Sequence, residues 1–248
     1  MSPACGRMLA IIAVLWLPLK LAAARAAGVR LTPARWLAFV LLWPGMDPAP
    51  FARAAERGLP GAARLARDGI AALAGGLTLW QLARAVFAAG RPVAACLLAL
   101  PSLSLMGHFG VCNLAAAFWR RRGFDVAVPF DAPWRAASLA EFWGRRWNRS
   151  FVEMTNLLVY RPLAARAGRG VGLAAAFACS GALHELAISV PVGAGFGLPT
   201  AYFALHGALV YGERVTGKKL APLPWLIAPV GLCFHPAFVA GVVAPLLG

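Results

Sequence analysis

The sequence predicts an all-α, polytopic helical membrane protein, and three properties of the chain lead to that fold class. Of its 248 residues, 60% are hydrophobic and only 13% are charged, and the mean hydropathy is +0.70. A water-soluble domain of this length cannot cover so much apolar surface with so few charges. Several apolar stretches approach the roughly 20 residues that are needed to cross a bilayer core. The basic residues gather in loops between those stretches.

Six segments are predicted as membrane spans, at residues 8–24, 69–89, 93–118, 170–190, 199–213 and 223–247. The first also resembles a signal peptide, because Arg7 precedes an apolar run that ends in the Ala-rich residues 22–27. Lys20 inside that run, and the lack of a polar mature domain, favour a retained span. Residues 36–43 are too short to cross and are followed by a Pro-Gly pair, which indicates an interfacial or re-entrant segment.

The net charge of +15 is unevenly distributed along the chain. Of the 24 basic residues, 20 lie at residues 25–67, 120–169 and 214–219, whereas residues 192–198 and the end of the chain after His235 carry none. With the predicted spans, this alternation places all three basic loops on one side of the membrane. We therefore expect cytoplasmic basic loops, outward-facing termini and a bacterial inner-membrane location. The same clustering makes nucleic acid a disfavoured partner.

Residues 1–248 contain few patterns that indicate chemistry, and one membrane domain is the simplest division of them. The five cysteines are scattered without paired spacing, which predicts neither a disulfide framework nor a zinc site. No His-Glu-x-x-His or Glu-x-x-His spacing occurs, so no metal site is expected. A Gly-x-Ser-x-Gly nucleophile elbow is also absent, which disfavours a Ser-His-Asp hydrolase.

The most informative stretch is EFWGRRWNRSF at residues 141–151. Ser138 and Glu141 before it form a capping-box pattern, which predicts the start of a helix. An apolar stripe then recurs every fourth residue, at Leu139, Trp143, Trp147 and Phe151. The opposite side of the predicted helix carries Asn148 and arginines. This division is typical of a helix that lies at the headgroup level, so a purely structural interfacial anchor is one interpretation.

Four parts of the sequence resemble the wax synthase-like branch of the membrane-bound O-acyltransferases. Residues 138–148, SLAEFWGRRWN, resemble its Phe-Trp-Gly-Arg-Arg-Trp block, which ends in Asn or His. Residues 180–185, SGALHE, are similar to its Ser-Gly-x-x-His-Glu block. Shorter similarities follow at residues 203–207 and 234–236, and a weaker one precedes them at residues 42–46. Several blocks in the family's order are a specific signal, whereas any one alone is weak.

The resemblance covers residues 130–247 and implies an acyltransferase core, which transfers an acyl group from acyl-CoA to a hydroxyl inside the membrane. His184 matches the family's catalytic histidine and is expected to be the general base, with Asn148 as its polar partner. The expected substrate-binding residues are Trp143, Arg145, Arg146, Trp147, Ser180, His206 and His235. The expected partners are acyl-CoA, a long-chain alcohol and membrane lipid. No cofactor is expected, because acyl-CoA is a co-substrate.

Elementary chemistry supports this interpretation of His184, because an alcohol attacks a thioester readily only when a base removes its proton. Imidazole has an unperturbed pKa of ~6.5, and general-base assistance typically contributes ~10²–10⁴ in rate. The arginines near Asn148 are suited to CoA phosphates, although lipid headgroups explain them equally well. On a helix, Glu185 points about 100° away from the preceding His184, so we expect it to form a salt bridge or a protein–protein contact instead of orienting the imidazole.

Other functions are compatible with the same residues. The acceptor alternatives are another lipid, a terpenoid or a glycan, and the donor alternative is an acetyl thioester. The rival class is a non-catalytic membrane scaffold or transporter subunit, in which His184 and Asn148 only pack. For His108, His206 and His235, interhelical hydrogen bonding competes with a role in lining a substrate tunnel.

Overall fold

The computed structural model describes residues 2–248, and helices are the only regular secondary structure within that part of the chain. The all-α prediction is confirmed. The α-helices are numbered along the chain as α1 Pro3–Ala27, α2 Pro33–Leu42, α3 Ala62–Ala88, α4 Pro92–Ser104, α5 Cys112–Arg121, α6 Leu139–Glu141, α7 Arg149–Thr155, α8 Arg161–Ala167, α9 Arg169–His184, α10 Val190–Val192, α11 Leu198–Thr216, α12 Pro222–Ile227, α13 Val230–Cys233 and α14 Pro236–Phe238. Shorter 3₁₀ turns lie at Ala49–Phe51, Pro133–Arg135 and Ala244–Leu246.

Wider, π-helical turns occur at Leu105–Val111, Phe142–Arg146, Asn156–Tyr160, Glu185–Ser189 and Val239–Val243. Each of them directly continues an α-helix. Two of them lie at candidate site residues: one contains most of the FWGRRW block, and another begins at the residue after His184. Such turns are rare in general and frequent at functional sites.

The chain is an integral membrane protein. Four helical stretches of residues 2–248 are long and apolar enough to cross a bilayer, at Pro3–Ala27, Ala62–Ala88, Pro92–Arg121 and Arg169–Val192. The pair Pro222–Cys233 and Pro236–Leu246 bends by 67° and raises the number to five if it is counted as one span. The predicted number of six is not confirmed. The span predicted at residues 199–213 corresponds to α11, which is not among these stretches. It has 19 residues, but His206, Glu213 and Arg214 reduce its hydropathy.

One compact unit comprises Ala27–Phe130 and Leu247–Gly248, and its centre is a helical hairpin of α3 with the continuous helix Pro92–Arg121. The buried residues of α3 are small and seven apart, at Ala62, Gly69, Gly76 and Ala83. A Cβ at Gly76 would lie 3.1 Å from the Ser102 carbonyl oxygen, so glycine permits close helix contact there. In the same unit α2 has ten residues, too few to cross, in agreement with the prediction for residues 36–43.

The other compact unit contains the described residues up to Ala26 and Asp131–Leu246, and its centre is the pair α9 and α11. A Cβ at Gly181 would meet Thr200, whereas one at Gly170 would meet Tyr211. This opposite order of contacts means that the two helices run antiparallel. The acyltransferase core predicted at residues 130–247 stays a prediction. The prediction of one membrane domain stays a prediction.

Candidate active site

The FWGRRW block begins at a helix start that is fixed by local polar contacts. Ser138 Oγ accepts a hydrogen bond from the Glu141 N–H at 3.0 Å, and Glu141 Oε2 accepts one from the Ala137 N–H at 2.9 Å. Arg146 Nε donates to the other carboxylate oxygen of Glu141 at 2.6 Å. The Ala137 N–H, and then Arg146, lower the pKa of the Glu141 carboxyl. The capping pattern predicted from the sequence therefore forms.

The structure breaks the single helix that the every-fourth pattern predicts over residues 139–151. After the turn Phe142–Arg146, Trp147 leaves the helix with extended backbone angles. Asn148 then adopts a φ of +47° and begins α7 as its N-cap. Asn tolerates this left-handed conformation better than most residues, because its short polar side chain bonds locally. The break ends the stripe, so the block is not one interfacial helix.

A cavity of about 320 Å³ lies beside this break. The predicted site residues that line it are Trp143, Trp147, Asn148, Ser180 and His184. The α9 helix contributes one face of the cavity, from Leu173 to His184, and α11 contributes Phe203, Val210 and Arg214. The two sequence blocks therefore meet at one cavity, although many residues separate them along the chain.

His184 is held by one hydrogen bond and by aromatic rings on two sides. Its Nδ1 lies 2.7 Å from the carbonyl oxygen of Ser180, one turn earlier in α9. Because a carbonyl only accepts, Nδ1 carries the proton, and the neutral ring keeps its lone pair on Nε2. The ring centroid lies 4.2 Å from that of Phe203 and 6.4 Å from that of Phe151. The imidazole is thus oriented as a base whose reactive atom is Nε2.

The Asn148 side chain has both a structural and a free polar end. Its Oδ1 accepts a hydrogen bond from the Phe151 N–H at 3.3 Å, which satisfies one of the unpaired donors at the start of α7. A backbone N–H requires an acceptor, so the amide oxygen occupies this position and the amide nitrogen remains as a donor. Since Asn148 also lines the cavity, its side chain can donate to a carbonyl oxygen bound there.

Trp143 connects the block to His206 on α11. Its Nε1–H donates to His206 Nδ1 at 3.1 Å, and its ring centroid lies 5.6 Å from that of Phe203. His206 is fully buried, and within the described residues its Nε2 has no hydrogen-bond partner. His206 does not line the cavity, so it lies behind the wall that Trp143 forms.

Three other residues that were predicted to bind substrate also lie outside the cavity lining. Arg146 is engaged by Glu141, and Arg145 is exposed. His235 is buried at the start of α14, where its Nδ1 accepts a hydrogen bond from the Phe238 N–H at 3.3 Å. The structure therefore brings together the predicted His–Asn pair, the two tryptophans and Ser180, but not these three residues.

Glu185 stabilises the fold and does not contact the imidazole of its neighbour. Its Oε1 accepts hydrogen bonds from the Gly197 N–H at 2.9 Å, the Thr200 N–H at 3.0 Å and the Thr200 hydroxyl at 3.0 Å. The carboxylate therefore caps the start of α11, where unpaired N–H groups and the helix dipole favour negative charge. This capping takes the place of the salt bridge that the sequence led us to expect.

Sequence reasoning missed several polar residues of the cavity. Asn156, Tyr160 and Arg214 line it, and none of them belongs to a recognised block. Helical spacing could have predicted Arg214, because it is separated from Phe203 by three helical turns and so lies on the same face of α11. No group of three or more His, Cys, Asp or Glu side chains among residues 2–248 is arranged to hold a metal ion.

The fold and the cavity define the class: a helical membrane protein in which a His and an Asn side chain line one cavity. Residues 128–205 match the model of the family described as "Membrane bound O-acyl transferase family". These residues include both the FWGRRW block and the block that contains His184. The resemblance identified from the sequence is confirmed over this region.

Curated relatives agree with the family match. Over 116 residues the chain is 34% identical to "Probable long-chain-alcohol O-fatty-acyltransferase 3" of Arabidopsis thaliana, which covers 42% of this chain and 33% of that protein. It is 32% identical over 108 residues to "Long-chain-alcohol O-fatty-acyltransferase" of Simmondsia chinensis, which covers 40% of this chain and 31% of that protein. The chain thus spans about a third of the length of these relatives. No solved structure matches the chain significantly.

Proposed function

We propose that this protein is an O-acyltransferase, which transfers an acyl group from acyl-CoA to the hydroxyl of a long-chain alcohol. The observation that carries the proposal is that His184 and Asn148, from two separate sequence blocks, line the same cavity. The names of the curated relatives support the reaction class and the choice of acceptor. The substrates are two, a thioester and an alcohol, and no cofactor is required because the thioester is already an activated acyl donor.

His184 is proposed as the general base. Its Nε2 removes the hydroxyl proton as the alcohol oxygen attacks the thioester carbonyl carbon, so that a C–O bond forms. The C–S bond then breaks, and the imidazolium returns the proton to the leaving thiolate, which gives an ester and free CoA. The Ser180 carbonyl, 2.7 Å from Nδ1, keeps the ring in the required tautomer and stabilises the imidazolium. Such assistance typically contributes ~10²–10⁴ in rate.

Asn148 is proposed to stabilise the oxygen on which negative charge develops. Its amide oxygen is occupied by the Phe151 N–H, which leaves the amide nitrogen as the donor. A donor that is held in place before the reaction needs no reorganisation when the charge appears, and loss of one such donor typically costs ~10²–10³ in kcat.

The remaining lining is suited to a long donor with a charged end. Between Leu173 and His184 the α9 face of the cavity extends about 16 Å, at 1.5 Å of rise per residue. Leu173, Phe177 and Val210 make much of this length apolar, whereas the exposed Arg214 offers positive charge away from His184. We propose that Arg214 binds a phosphate of CoA, and that Arg145 is a further contact outside the cavity. The distribution of basic loops supports a cytoplasmic approach of the donor, in a bacterial inner membrane.

The test is ester formation by membranes that contain the full chain. Labelled palmitoyl-CoA is supplied with hexadecanol, and in parallel with a sterol, a terpenoid alcohol and a glycan, while acetyl-CoA is tested as an alternative donor. We expect the wild type to form the wax ester and His184→Ala to lose at least about 10²-fold in kcat. The matched control is His108→Ala, which removes another half-buried histidine, bonded to Ser104 and outside the cavity lining. Ester formation that His184→Ala leaves unchanged would refute the base, and no ester from the wild type would refute the enzyme.

A further inference from the structure

Glu213, near the end of α11, makes an unusual set of contacts for a residue outside every recognised block. Its side chain is buried, and its two carboxylate oxygens accept three backbone hydrogen bonds. Oε1 accepts from the Leu139 N–H at 3.1 Å and from the Leu220 N–H at 2.6 Å, and Oε2 accepts from the Ala140 N–H at 2.7 Å. The partners lie in two segments, one at the start of the FWGRRW block and one just after α11.

Two of these bonds complete the start of α6. The first N–H groups of a helix have no partner within the helix, and in a dry environment an unpaired donor is costly. Here Leu139 and Ala140, the first two residues of α6, donate to Glu213, and the third, Glu141, donates to Ser138 Oγ. A carboxylate from another helix therefore supplies two of the three acceptors, and its charge also suits the positive end of a helix.

A second contact joins the block to the same helix. Trp143 donates to His206, which precedes Glu213 by seven residues and so lies two turns away on the same face of α11. The block is thus attached to α11 at two points about 10 Å apart. Between the second point and Asn148 lie only the π-helical turn and Trp147, so the position of Asn148 depends on where the block is docked.

We propose that Glu213 is a positioning residue: its carboxylate docks residues 138–148 on α11 and so places Asn148 at the cavity that contains His184. The catalytic consequence rests on the proposed function, whereas the docking itself does not. Glu213 touches neither substrate in this scheme. Its substitution is therefore expected to disturb the geometry of the reaction more than the binding of the donor.

The docking is tested by hydrogen exchange of the purified full chain, followed by mass spectrometry. Glu213→Gln keeps the size of the side chain but puts an N–H₂ group where one oxygen accepted. We expect the Leu139, Ala140 and Leu220 amides to exchange about 10- to 100-fold faster, since hydrogen bonds to charged groups are lost. Peptides of α9 should not change. The control is Thr216→Val, which loses the hydroxyl that bonds Gly212 and Lys218 at the same helix end.

The kinetic arm uses the same variants in the ester assay. For Glu213→Gln we expect kcat to fall about 10- to 100-fold, the effect of a displacement of ~1 Å, while KM for the donor changes less than about threefold. Glu213→Asp keeps the charge on a shorter arm and should give an intermediate kcat, and Thr216→Val should retain wild-type kcat. Unchanged exchange in Glu213→Gln overturns the docking, and faster exchange with normal kcat overturns its catalytic role. If the wild type forms no ester, the proposed function fails while exchange still decides the docking.

Discussion

Substitutions of Asn148 can distinguish its conformational role from its proposed chemical role, because its backbone, its side-chain oxygen and its side-chain nitrogen each have a different role. The residue has a φ of +47°, its Oδ1 caps α7, and its nitrogen is the proposed donor in the cavity. Substitution by Ala, Gly and Asp removes these features in different combinations. The expected effects on the free energy of unfolding and on turnover therefore differ among the three variants.

Asn148→Ala loses the cap, at about 1 kcal/mol, and places a Cβ in left-handed backbone without local bonding, at about 1–2 kcal/mol. Together these effects lower the free energy of unfolding by about 2–3 kcal/mol. Asn148→Gly relieves the backbone strain, and loss of the cap lowers the free energy of unfolding by only about 0.3 kcal/mol. Asn148→Asp keeps the cap and tolerates the conformation. Turnover falls ~10²–10³ in all three variants, because none of them retains an amide N–H at this position.

The assay combines kcat for ester formation with thermal unfolding of the purified protein in the same detergent. Ala132 is the matched control, since it is the other non-glycine residue among residues 2–248 with positive φ, at +42°. Ala132→Gly should raise stability by up to about 1 kcal/mol and leave kcat unchanged. The reasoning is refuted if Asn148→Gly or Asn148→Asp retains wild-type kcat, because Asn148 would then serve only the backbone turn.

Two further predictions concern Arg214, which lines the cavity, and Gly195, which packs against His235 outside it. Arg214→Gln should raise KM for acyl-CoA about tenfold with little change in KM for the alcohol, since a charge-assisted phosphate contact is lost. The control is Lys218→Gln, because Lys218 lies outside the cavity lining. An equal rise in both KM values in Arg214→Gln would contradict the assignment. Gly195→Ala should lower thermal stability by about 1–3 kcal/mol, because the new Cβ would lie 2.4 Å from the His235 ring. Gly193 also has a positive φ, but a Cβ added there would meet nothing within 4 Å, so Gly193→Ala is the control. Equal losses of stability in the two variants would show that backbone strain, and not the clash with His235, is the cause.

Four of the six predicted spans and the local start of the FWGRRW block were predictable because they depend on short-range properties. Apolar length predicts a crossing helix, and a Ser–Glu pair at helical spacing predicts a cap, without any knowledge of the tertiary structure. The span at residues 199–213 was not confirmed, since α11 carries polar residues whose partners lie elsewhere in the chain. Glu213 has no local signature, because two of its three hydrogen bonds go to residues more than 70 positions earlier.

The every-fourth aromatic pattern shows why periodicity was insufficient. It is compatible with one helix over residues 139–151, but Asn148 supplies both a left-handed backbone and a new N-cap. A local sequence does not reveal which of these alternatives forms, because Asn occurs both within helices and at their starts. Packing of Trp143 on Phe203, and its hydrogen bond to His206, hold the first half of the block to α11.

By itself, the sequence determined that the protein lies in a membrane, and which residue types are available for the proposed acyl transfer. Both follow from composition and from short motifs, which do not depend on how the helices pack together. Only the tertiary structure decided that Asn148 and His184 share a cavity, that Arg214 extends it, and that Glu213 docks the block. The physical reason is that buried N–H groups must find acceptors and apolar faces must find partners, and in this chain those partners lie on helices far apart in sequence.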